Sequence, residues 1–160
     1  MKFILRSVSW KTLMVLSVST LIPLIILSFY GLYTHKFYFF KFDNYIFPLL
    51  TSIHFVYLYV MQFKIREQEP SDPQMRNLEY ALYIIFIIYV FKGVDALMIL
   101  LSYQDFESHL IPITFIPMGL LVVTLHFVLL VLTLLSFAFR KAFVGAYSFE
   151  NNNQAIDPWE

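Results

Sequence analysis

Long uncharged apolar stretches alternate with short charged clusters along this chain, and that spacing predicts four membrane-crossing helices. From Thr12 to Thr34 no side chain carries a full charge. A helix of that length, rising about 1.5 Å per residue, crosses the ~30 Å hydrocarbon layer of a bilayer. A second apolar run covers 46–63 and is closed by Lys64 and Arg66; a third covers 78–103, interrupted by Lys92 and Asp95. The fourth, 110–139, ends at Arg140 and Lys141 and is long enough to tilt or to continue past the bilayer. The expected fold is all-α: a polytopic membrane protein whose four transmembrane helices form an up-down bundle, a single domain over 1–160 with a polar tail at 142–160. Met1, Lys2, Arg6 and Lys11 ahead of the first run also outline a secretory signal. That run is longer than a usual signal core and no Ala-x-Ala type site follows it, so it is read as a retained span.

Orientation follows from Lys and Arg in short loops, which are held on the cytoplasmic side during insertion. Eight lie on one side: Lys2, Arg6 and Lys11 before the first span, Lys64, Arg66 and Arg76 between the second and third, Arg140 and Lys141 after the fourth. The other side has two, Lys36 and Lys41, and its second loop carries Asp105, Glu107 and His109 instead. Both termini are therefore expected inside, in a bacterial inner (cytoplasmic) membrane or an organellar inner membrane.

Composition supports lipid as the solvent and removes several function classes. Hydrophobic residues make up 59% of the 160 and charged residues 14%, well under the quarter usual for soluble domains. Eleven basic and eleven acidic residues cancel, so no overall field draws the chain to nucleic acid. With no cysteine, disulfides, thiolate metal sites and cysteine nucleophiles are excluded. Only four glycines occur, at 31, 93, 119 and 145, so the chain has no phosphate-cradling loop, nucleophile elbow or dinucleotide fingerprint. No internal repeat relates the two helical hairpins.

The two longer loops differ in character. The inner segment Lys64 to Asn77 mixes Glu67, Glu69 and Asp72 with basic residues, and Pro70 and Pro73 oppose helix continuation, so it reads as a solvated connector. The outer segment His35 to Tyr45 is dense in Phe and Tyr, which suits the headgroup zone or the surface of another protein.

Candidate chemistry rests on His54, Lys92, Asp95 and His126, ionisable residues inside the spans. A charge in lipid is a functional hypothesis by default. Lys and Asp at a helix centre cost about 2.5–3.5 kcal/mol each, roughly what the Leu, Ile, Val and Phe of the third span return at about 0.3–0.6 apiece. That span is marginal alone and needs shelter from neighbouring helices or a partner. Lys92 and Asp95, three apart, share a helix side and can pair. Pro112, Gly119, His126 and Thr133 recur every seventh residue as a small and polar stripe that admits close helix packing. Counting along the helices puts Lys92, Asp95 and His126 at similar depth, and His54 several ångströms closer to the inner side.

No cofactor motif is present, and the acids of the inner loop sit among basic residues rather than forming a metal site. The one cofactor arrangement the sequence admits is a b-type haem clamped by His54 and His126, which their difference in depth disfavours. The expected function is a non-catalytic integral membrane subunit that binds and stabilises a larger membrane complex, its partners being other integral membrane subunits and the lipid bilayer. The alternative is a proton- or ion-translocating component that uses the Lys92, Asp95 and His126 cluster.

Overall fold

A computed structural model describes residues 9–70, 72–105, 111–145 and 147. The chain is mostly helical, and four of its helices are long and apolar enough to span a membrane. These are α1 (Trp10–Leu27), α2 (Ile46–Glu67), α3 (Pro73–Leu101) and α4 (Phe115–Phe143). Between α1 and α2 lies a two-stranded antiparallel hairpin, β1 (Tyr30–Gly31) and β2 (Lys36–Phe37), the one departure from an all-α fold among the described residues.

The helix ends differ from those read in the sequence, each for a local reason. α1 stops at Leu27, not near 34: Ser28 caps it and donates its hydroxyl to the Ile25 carbonyl (2.7 Å). Past this point the aromatic residues satisfy their backbone in the hairpin, where Tyr38 N–H donates to the Phe29 carbonyl (2.7 Å). α2 runs on to Glu67, with Lys64 and Arg66 in its last turn, where cations complement the helix dipole. α3 begins at Pro73 instead of near 78. Asp72 caps it by accepting the Met75 N–H (2.7 Å), and proline is tolerated at the first position because its absent N–H would have no helical partner. The connector between α2 and α3 is thus only five residues, 68–72. α4 starts at Phe115 and continues past 139; residues 106–110, and the tail beyond 145 except Tyr147, lie outside the described residues.

Each helix packs on its sequence neighbour, and α4 closes the ring against α1. Ring contacts and polar bonds identify the two ends of the bundle. Trp10 at the start of α1 meets Phe139 near the end of α4, with ring centroids 6.0 Å apart, and Glu79 early in α3 meets Arg140 late in α4. At the opposite end, called here the hairpin end, Tyr33 beyond α1 bonds Ser102 at the end of α3. The core between them is filled by Leu13, Leu21, Tyr57, Met61, Leu82, Ile85, Tyr89 and Leu129, all buried, whereas Ile84, Phe91 and Phe127 face outward. An apolar exterior of this kind suits lipid.

Serine and threonine hydroxyls inside the bundle bond within their own helices: Ser17 donates to the Leu13 carbonyl (2.9 Å), Thr51 to Phe47 (3.0 Å) and Thr133 to Leu129 (2.8 Å). Close approach between helices comes from glycine. A Cβ at Gly119 would lie 2.7 Å from Leu100 Cδ1 of α3, and one at Gly93 would lie 3.5 Å from His126 Cβ of α4.

Candidate functional site

The hairpin end is where polar and aromatic side chains gather, and local bonds explain why the chain folds back there. Gly31 has no room for a side chain: a Cβ would sit 2.6 Å from the Tyr38 ring and 2.7 Å from Thr34 Oγ1. His35 adopts the left-handed conformation that turns the chain between the strands. Its Nδ1 lies within hydrogen-bond distance of the Tyr30 hydroxyl and of Thr114 Oγ1 (3.0 Å), which ties the hairpin to the approach to α4. Tyr33 packs its ring on Phe115, 5.2 Å between centroids, while its hydroxyl bonds Ser102. The hairpin is therefore clamped to α3 and α4.

Beneath it lies a cavity of about 480 Å³, bounded by the ends of α1 and α3, the starts of α2 and α4, and the hairpin itself. Lys92, Asp95 and His126 all line it, together with Lys41, Asp43 and Asn44. Lys92 and Asp95 are both exposed, and no ion pair joins them, although their spacing permits one. His126 donates Nδ1–H to the Val122 carbonyl (2.9 Å), so in the neutral ring Nε2 carries the free lone pair. Lys41 and Asp43 approach to 3.9 Å, both well exposed. Three residues away from the lining positions Leu24, Lys92 and His126, on α1, α3 and α4, Leu21, Tyr89 and Leu129 are fully buried.

Comparison of the chain with protein-family models, with curated proteins and with solved structures finds no match.

The two buried histidines are placed differently. His126 lines the cavity and His54 does not. His54 is fully buried, with Nδ1 3.4 Å from the Tyr89 hydroxyl and no hydrogen-bond partner for Nε2. A run of ring contacts joins them, His54 to Tyr89, Tyr89 to Phe47 and Phe47 to His126, with centroids 5.9, 5.5 and 5.9 Å apart. The aromatic rings of Tyr89 and Phe47 thus occupy the route between the two imidazoles. Among the described residues no three histidine or carboxylate side chains are grouped to hold a metal ion. Of the small stripe on α4, Gly119 meets Leu100, His126 faces the cavity and Thr133 is fully buried.

At the other end the structure assembles a group that the sequence reading passed over. Glu79 lies inside the third span with no exposed surface, and its Oε2 is 2.8 Å from Arg140 Nε. Arg140 also donates from a terminal nitrogen to Glu79 Oε1 (2.8 Å) and from the other to the Gly145 carbonyl (3.1 Å), and its guanidinium stacks 4.5 Å above the Tyr147 ring. Tyr83 donates to Glu79 Oε1 (2.6 Å) and Tyr147 to Oε2. Burial, and then the adjacent Glu79 carboxylate, push the Tyr147 phenol above its ordinary range. The signal in the sequence was an acid and a base near the same ends of successive antiparallel spans. Across the connector between α2 and α3, Lys64 bridges Glu69 and Asp72 at 2.8 Å each, and its ammonium holds the Asp72 carboxyl below the usual carboxylate range.

Proposed function

We propose that this chain is a non-catalytic integral membrane subunit that binds another integral membrane protein through its hairpin end and stabilises the resulting assembly. In this reading the four helices cross a bacterial cytoplasmic or organellar inner membrane as an up-down bundle. The eight-to-two division of loop Lys and Arg favours both termini on the cytoplasmic or matrix side, with the hairpin outside.

The observation that carries the reading is a prearranged aromatic surface. Phe37 and Phe39 stack at 5.8 Å, Phe29 packs on Phe39 and Tyr45, Tyr45 donates its hydroxyl to the Phe39 carbonyl (2.8 Å), and Asn44 donates to the Tyr38 carbonyl (2.9 Å). These bonds fix the loop, yet Phe40 and Phe42 project with relative exposures of 106% and 82%. A rigid loop that displays aromatic anchors loses little conformational entropy on association, and that is what makes aromatic residues effective at interfaces.

The test is purification of the tagged full chain in mild detergent. The expected result is one integral membrane protein at fixed stoichiometry, lost when Phe40→Ser and Phe42→Ser are introduced together while the thermal midpoint of the chain is unchanged. A native protein that runs as a monomer, with recovery of the same companions in wild type and variant, overturns the reading. A second reading, proton or ion translocation, is favoured by the meeting of Lys92, Asp95 and His126 at one cavity. It predicts ion flux in proteoliposomes that Asp95→Asn abolishes.

A further inference from the structure

The cavity at the hairpin end combines features that specify a ligand class. Its volume of about 480 Å³ falls within the range of small-molecule sites. Its charged lining is balanced, Lys41 and Lys92 against Asp43 and Asp95, so neither a simple anion nor a simple cation is matched. Elsewhere opposite charges consume one another, as Glu79 does with Arg140 and Lys64 with Asp72. Here Lys92 and Asp95 lie one helical turn apart, both exposed and both lining the cavity, without pairing with each other. The Nε2 lone pair of His126 adds an acceptor beside them. The lining also includes the apolar side chains of Leu24, Leu27, Ile99 and Val122.

We propose that this cavity binds a zwitterionic amphiphile carrying an anionic phosphate and an ammonium, with the phosphate on Lys92, the ammonium between Asp95 and His126 Nε2, and hydrocarbon along those apolar side chains. The chemistry is that of a phosphoethanolamine group, supplied either as a bilayer lipid headgroup or as a free solute. Opposite charges on one ligand give both side chains a charge-assisted partner at once, which a lone ion does not. The outward-facing Phe91, Val94 and Met98 on the same stretch of α3 place the cavity beside hydrocarbon, which favours the lipid source.

The experiment measures binding to the full chain in detergent by native mass spectrometry, with phosphatidylethanolamine, phosphatidylglycerol and water-soluble phosphoethanolamine as probes. Loss of one charge-assisted contact is expected to weaken binding about tenfold or more. Lys92→Gln should weaken both lipids, because both carry phosphate. Asp95→Asn should weaken phosphatidylethanolamine and leave phosphatidylglycerol unchanged, because only the first carries an ammonium. Misfolding cannot produce that split, and the thermal midpoint of each variant checks the fold separately. Displacement of the lipid by millimolar phosphoethanolamine supports headgroup recognition, and equal affinity for the soluble compound supports the same chemistry with a free solute as its source. Equal loss of both lipids in Asp95→Asn, or wild-type binding in both variants, overturns the proposal.

Discussion

Arg140 closes on Glu79 through two separate contacts of 2.8 Å, joining the end of α4 to the start of α3 around a carboxylate with no exposed surface. Charges this deep hold one another in place, and removing one leaves the other without compensation. Glu79→Leu or Arg140→Met alone is expected to cost about 3–5 kcal/mol, whereas the two together should recover most of the loss. Denaturant titration of the purified chain in micelles, read by far-UV circular dichroism, checks both parts.

The Lys64 and Asp72 pair makes a smaller, pH-dependent contribution. Lys64 lowers the Asp72 carboxyl in the folded chain relative to about 3.9 when unfolded. Folding is thereby favoured above the unfolded value, and the gain is lost as pH falls through the lowered folded value. The Asp72 side chain is 41% exposed, so solvent screening keeps the effect below about 1 kcal/mol. Asp72→Asn preserves the cap on α3 and removes the charge. The midpoint difference between wild type and this variant should be constant from neutral pH to about pH 5 and shrink on further acidification.

Gly119 sets how closely α4 approaches α3. Its missing Cβ would fall 2.7 Å from Leu100 Cδ1, the movable end of a side chain. Gly119→Ala should be absorbed by rotation of Leu100, while Gly119→Ile should cost about 1–3 kcal/mol through overpacking. Combining Gly119→Ile with Leu100→Ala is expected to return part of that loss. Thermal midpoints of the four proteins decide it.

The existence of the four helices was legible because a long apolar run admits few other readings in lipid. Their ends were not. Phe29, Tyr30 and Tyr33 are as apolar in a hairpin as in a helix, so hydropathy alone carried the first span past Leu27. The start of α3 did have a local signal, Asp72 followed by Pro73, which reads as cap and first turn once the two are taken together. Depth counting put Lys92, Asp95 and His126 at one level, and the three line one cavity. That the cavity exists depends on the hairpin folding over it, through His35 with Thr114 and Tyr33 with Ser102, pairs 79 and 69 residues apart in sequence. The Glu79 group was missed because a charge near a span end is readily assigned to water, and only tertiary packing brings Arg140 and Tyr147 onto it.

If the proposed orientation holds, the cavity lined by Lys92, Asp95 and His126 lies on the hairpin side of the bundle, within reach of reagents added from outside. The chain has no cysteine, so single substitutions report cleanly. In intact cells, a membrane-impermeant thiol reagent that requires an ionised thiolate should label Phe40→Cys on the hairpin and Asp95→Cys in the cavity. It should label Glu67→Cys only after the membrane is permeabilised. An Asp95→Cys that stays unlabelled from outside while Phe40→Cys reacts would contradict the open cavity, and labelling of Glu67→Cys in intact cells would contradict the orientation.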